Sequence, residues 1–192
     1  MNKDRLLAFS DGVIAIIITI MVLEMHAPKG PNFSDLQSMI PVFLSYVLSF
    51  VFTGIYWNNH HHMMQTVRHV NGGILWANLF LLFWLSVVPF VTAWMGQNNF
   101  AAAPVALYGV VLVMNALAYY ILEKQLVAQH GSDSVLSRAT GKGWKEKISV
   151  LLYVAAVGLA FWQPMISLVI YLIVACIWLV PDRRIERAME NH

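Results

Sequence analysis

Arg5 and Asp11 stand at the head of a long apolar run, and His60, His61 and His62 stand in a row at the end of another. A guanidinium near a carboxylate makes an ion pair or a proton-handling site, and clustered imidazoles bind zinc or titrate near neutral pH. Spacing constrains both ideas. Six residues of α-helix turn through about 600°, which leaves Arg5 and Asp11 roughly 120° apart, so each needs a partner on another element. The structural alternative places Arg5 at lipid headgroups and lets Asp11 cap or pin a neighbouring helix. Consecutive helical residues diverge by about 100°, so three adjacent histidines cannot close on one metal ion if the helix continues. His69 supplies no further ligand at workable spacing, and no metal site is expected.

The elements that must position these groups are apolar and long. Of the 192 residues, 59% are hydrophobic and 11% charged, against about 25% charged in a soluble domain. Apolar segments run from Leu6 to Met25, Leu36 to Trp57, Gly72 to Met95, Ala103 to Leu122, Trp144 to Phe161 and Pro164 to Val180. Each is close to the ~20 residues that span a bilayer. The expected fold is an all-α integral membrane protein, with residues 1–192 forming one domain of six transmembrane helices. Ala27-Pro28-Lys29-Gly30-Pro31-Asn32 and Gly96-Gln97-Asn98-Asn99 are expected turns, and the polar stretch from Glu123 to Gly143 is the longest expected loop. Pro89 is expected to kink the third span, and Asn78 and Asn115 to bond between helices.

Basic residues fix an orientation, because cytoplasmic loops retain lysine and arginine. With the N-terminus inside, only Lys29 of the twelve basic residues falls outside, so both termini are expected in the cytoplasm. Trp57, Trp76, Trp144 and Trp178 then mark the inner interface, Trp94 and Trp162 the outer one, and Trp84 is packing. A net charge of +2 without a basic patch excludes a nucleic-acid partner. Lys3 and Arg5 precede an apolar stretch as in a signal peptide, but Asp11 interrupts it and no Ala-x-Ala follows. The lone Cys176 reads as a small core residue. Glu24, at the outer end of the first span, suits either a cation-concentrating mouth or an interfacial role.

Positions Arg5, Phe9, Gly12, Ile16, Thr19 or Ile20, and Leu23 follow steps of four and three, the spacing of a seam facing a bundle axis. In so apolar a helix the same stripe suits lipid or core equally. Asp11 lies about 140° from Ile16, so if the stripe lines a pore the carboxylate points away from it. Arg5, Phe9, Ser10 and Asp11 form the pattern R-x-x-x-F-S-D, followed by Gly12-Val13-Ile14-Ala15-Ile16, Thr19 and Leu23-Glu24. This resembles the signature of the transmembrane protein 175 family, the potassium channels of bacteria and of animal endosomes and lysosomes. Six spans in a chain near 200 residues resemble its bacterial members.

The resemblance implies a homotetramer whose first helices line a central pore, since animal members carry two such repeats and dimerise. It implies an apolar constriction at Ile16, a selectivity-linked Thr19, and further apolar layers at Ile20 and Leu23. It also places a tryptophan and a histidine at Trp57 and the histidine row. Trp57, Asn58, His60 and His61 share the cytoplasmic end with Arg5, Ser10 and Asp11, so a hydrogen-bonded network steadying the first helix is expected. Histidine there makes pH-sensitive opening a secondary reading.

The expected function is thus a potassium-permeable channel in the bacterial inner membrane, gated by a hydrophobic ring that excludes water until it widens slightly. Potassium is the permeant ion and no cofactor is expected. No Thr-Val-Gly-Tyr-Gly filter occurs, so selectivity over sodium should be modest. No regular array of arginines suggests a voltage sensor. The alternative is an ion-coupled secondary transporter, which inverted repeats or paired broken helices would favour. An enzyme is not expected, because no nucleophile and base, or closed set of metal ligands, appears at bilayer depth.

Overall fold

A computed structural model of the chain describes residues 3–65, 67, 69–130 and 144–179. Among the described residues are six α-helices: α1 (Lys3–Leu23), α2 (Ile40–Gln65), α3 (Gly72–Gln97), α4 (Ala102–His130), α5 (Trp144–Leu159) and α6 (Pro164–Leu179), with a 3₁₀ turn at Phe33–Met39 before α2. Helix α1 is rich in β-branched isoleucine, which water does not favour in helices. A bilayer reverses that preference, because only a helix satisfies every backbone group within one segment. The 21 residues of α1 rise about 32 Å, matching a hydrocarbon core of about 30 Å. Helices α1 to α4 are each long and apolar enough to cross a membrane, whereas α6 is a shorter apolar helix.

Two helices outrun their apolar segments. Helix α2 continues eight residues past Trp57 to Gln65, so the histidine row is helical, and α4 continues through Glu123 to His130. The loop expected from Glu123 therefore begins later, and residues 131–143 lie outside the described structure. The apolar run ends before the helix does, and Met63, Met64 and Leu126 in the extensions still pack into the core.

Helix α3 is the spine, packing against α1, α2 and α4, while α5 and α6 form a hairpin against α4 and α2. One apolar core joins α1, the C-terminal part of α2, α3 and α4 around Leu81, Leu85 and Leu122. A second joins α2 to α6 around Tyr108, Leu112, Tyr153 and Tyr171. Pro89 lies inside α3, where its missing N–H leaves the Leu85 carbonyl without a helical donor, and the helix runs on to Gln97. Asn99 and Phe100 take positive φ values of 49° and 58°. Their reversal lets the Phe100 amide donate to the Met95 carbonyl at 3.0 Å, closing the end of α3 before α4 begins.

Polar contacts between helices set the register that apolar packing in lipid leaves loose. The Ser49 hydroxyl lies 2.7 Å from that of Thr92 and 3.0 Å from that of Tyr108, joining α2, α3 and α4. Ser167 donates to the Ala156 carbonyl at 2.7 Å, Trp178 Nε1 to Ser149 Oγ at 2.8 Å, and Tyr171 to the Val105 carbonyl at 3.1 Å. Cys176, read from sequence as core, is instead exposed on α6, because Tyr171, Val174 and Ala175 take the inward face.

Small residues set the α2–α3 approach. A Cβ on Gly96 would stand 2.4 Å from Ser45 Oγ and 2.7 Å from Val42 Cα, a backbone atom that cannot rotate away. Gly96→Ala should therefore destabilise the protein by about 1–3 kcal/mol, as overpacking does, and lower the thermal midpoint of the detergent-solubilised chain. Gly158→Ala, where nothing lies within 4 Å, should leave that midpoint unchanged or slightly raised.

Candidate functional site: the first helix and its anchor

Helix α1 has two faces of different character. Leu6, Ser10, Ile14, Ile17 and Met21 are buried against the bundle. Arg5, Phe9, Gly12, Ile16, Thr19, Ile20 and Leu23 are exposed, with Ile16 at 57% and Leu23 at 75%. Nothing in the described chain covers that stripe of apolar side chains, and a Cβ on Gly12 would meet no atom within 4 Å. The Thr19 hydroxyl donates to the Ile16 carbonyl at 2.9 Å, which spends its proton inside the helix and leaves its oxygen lone pairs facing outward. Beside the stripe an open groove of about 610 Å³ runs between α1 and α3, from Val13 and Ile16 to Glu24, Trp94 and Gln97.

The opposite face is anchored by a directional chain of hydrogen bonds. His60 Nε2 lies 2.7 Å from Asn78 Oδ1, and since an amide oxygen only accepts, Nε2 carries the proton. Asn78 Nδ2 donates to Ser10 Oγ at 3.0 Å, and the Ser10 hydroxyl donates to the Leu6 carbonyl at 2.9 Å. His60, Asn78 and Ser10 are all buried. His60 Nδ1 and His62 Nδ1 are buried without a hydrogen-bond partner among the described residues.

A second contact binds Asp11. Trp57 Nε1 donates to Asp11 Oδ1 at 3.0 Å, and the Trp57 ring stacks on His61 with centroids 6.0 Å apart. His61 Nε2 in turn accepts from Gln65 Nε2 at 2.9 Å, and Lys3 Nζ donates to the Gln65 carbonyl at 3.3 Å. Thus Ser10, Asp11, Trp57, His60 and His61 come together at one end of α1. Arg5 and Asn58 do not join them: among the described residues neither makes a hydrogen bond or ion pair. Among those residues, too, no group of three histidine, cysteine or acidic side chains is placed to hold a metal ion.

Asn78 is the member that sequence reading placed between helices without assigning it to this network. Its signal was an amide inside the otherwise apolar run Ile74–Leu85, eighteen positions from His60. Asn78→Leu removes two bonds and strands a buried imidazole N–H, a loss of about 1–3 kcal/mol. Ser10→Ala removes one acceptor, worth about 0.6 kcal/mol on average between membrane helices. Thermal unfolding in detergent should therefore rank wild type above Ser10→Ala and Ser10→Ala above Asn78→Leu.

The same region carries the likeness to known proteins. Residues 5–89, from Arg5 through α1 and α2 to Pro89, match the model of the family described as endosomal/lysosomal potassium channel TMEM175. A potassium channel of Chryseobacterium sp. strain P1-3 is 52% identical over 192 residues, covering 100% of both chains. A potassium channel of Streptomyces collinus is 33% identical over 173 residues, 84% of each chain. The crystal structure of a lysosomal potassium-selective channel TMEM175 homolog from Chamaesiphon minutus superimposes with a TM-score of 0.80 at 26% identity, covering 94% of this chain and 97% of that one. With four helices long and apolar enough to cross a bilayer and its signature residues set on one anchored helix, this multi-pass membrane protein belongs to the TMEM175 potassium-channel family.

Proposed function

We propose that the chain forms a potassium-permeable channel in a bacterial inner membrane, with both termini in the cytoplasm and four copies around a pore lined by α1. The observation that carries this reading is the uncovered stripe Phe9, Gly12, Ile16, Ile20 and Leu23 on a helix whose other face is fixed. Bacterial relatives named as potassium channels align with the chain over most or all of its length. A neighbouring copy entering the groove beside Val13, Ile17 and Phe90 would bring equivalent stripes together about an axis.

In that arrangement the Ile16 side chains form a ring of hydrocarbon. When the ring is narrow, water leaves it and an ion would have to pass without hydration, which closes the pore; a small widening rewets it. Thr19 stands about one turn outward, where its free lone pairs replace part of a cation's hydration shell. Potassium holds that shell less tightly than sodium, so the preference for potassium is real but modest. Ile20 and Leu23 extend the apolar lining, and Glu24 beyond them gathers cations at the outer mouth.

Single-channel recording of the purified protein in planar bilayers, under opposed potassium and sodium gradients, tests this reading. Wild type should give unitary currents reversing toward the potassium potential, and Ile16→Asn should raise conductance several-fold by wetting the constriction. Absence of unitary current in both proteins, with ion-coupled uptake in liposomes, would overturn it.

A further inference from the structure

Away from α1, the helices line a second feature. A cavity of about 40 Å³ lies between α2, α4, α5 and α6. Five aromatic rings line it, those of Phe52, Tyr56, Tyr119, Tyr153 and Trp178, together with the carboxylate of Glu146. Three of the other polar side chains that line it are committed elsewhere. Tyr119 donates to the Asn59 carbonyl at 3.3 Å, Trp178 Nε1 to Ser149 Oγ at 2.8 Å, and Ser149 to the Lys145 carbonyl at 2.8 Å. Lys124 folds over the Tyr120 ring, 5.2 Å from its centroid. Among the described residues Glu146 has no hydrogen bond or ion pair, and the Tyr56 and Tyr153 hydroxyls have no hydrogen bond. Glu123 and Glu146 both act electrostatically on the Tyr119 hydroxyl.

A carboxylate with no ion pair among the described residues, set among aromatic rings, defines its ligand. Ring faces attract cations, and methylated ammonium ions suit aromatic cages because their carbons pack on the rings while their charge meets the π-face. A bare potassium ion fits poorly, since it needs a full shell of oxygens and this wall is mostly carbon. A space of 40 Å³ holds roughly three water-sized spheres, which corresponds to an ammonium ion of two to four heavy atoms. We propose that this cavity is a binding site for a small alkylammonium ion, whose N–H donates to Glu146 while Tyr56, Tyr153 and Trp178 pack against its methyl groups. The site is independent of the pore reading, since no residue of α1 or α3 lines it.

Isothermal titration calorimetry of trimethylammonium chloride into the solubilised full chain, at constant ionic strength and against potassium chloride, tests the assignment. Saturable binding is expected in wild type and in Ile16→Asn, weakened at least tenfold in Glu146→Gln and in the cavity-filling Ala116→Leu. If Ala116→Leu does not fold, Glu146→Gln decides. Wild-type affinity in Glu146→Gln, loss of binding in Ile16→Asn instead, equal binding of potassium, or no saturable binding at all would each overturn it.

Discussion

The structure depends on α1 being held from one side only. In lipid, apolar side chains gain little by choosing protein over acyl chains, so the polar contacts decide which way a transmembrane helix faces. The chain from His60 through Asn78 to Ser10 supplies that decision for α1, and Trp57 repeats it one residue on at Asp11. Ile14, Ile17 and Met21 then follow Ser10 into the bundle at helical spacing. The stripe through Gly12 and Ile16 faces outward as a geometric consequence, with no contact of its own to specify it.

The remaining helices make that anchor rigid. Asn78 can only fix α1 if α3 is itself immobile, and α3 is pinned twice: by the Ser49–Thr92–Tyr108 hydroxyl cluster and by the close approach of Gly96 to α2. The α5–α6 hairpin stands outside this core, tied to it by Tyr171 reaching past Gly109 to the Val105 carbonyl. Two zones result, one organised around the first helix and one around the aromatic cavity, and they share α2 and α4.

Much of this was legible from residue types. Near-continuous apolar runs mark the six described helices, and a carboxylate beside Phe9 and Ser10 marks the helix on which polarity is worth its cost. Other features lie beyond one-dimensional reading. Hydropathy located the ends of the apolar runs but not of α2 and α4, whose extensions place His60 and Leu126 in the core. The inward or outward choice at Cys176 depends on which face of α6 meets its neighbours, and an apolar helix carries no moment to announce it. The pairing of Asn78 with His60 needed the α2–α3 hairpin, and the cavity at Glu146 needed four helices at once.

Cysteine accessibility along α1 tests the central claim most directly. In a Cys176→Ser background, single cysteines at Leu23, Ile20, Met21 and Ile17 would be exposed to a charged thiol reagent during bilayer recording. Modification should change potassium current at Leu23 and Ile20 and leave it unchanged at Met21 and Ile17, which face the bundle. Current change at Met21 and Ile17 with none at Leu23 and Ile20 would mean that the uncovered stripe of α1 faces lipid, and that the pore lies elsewhere.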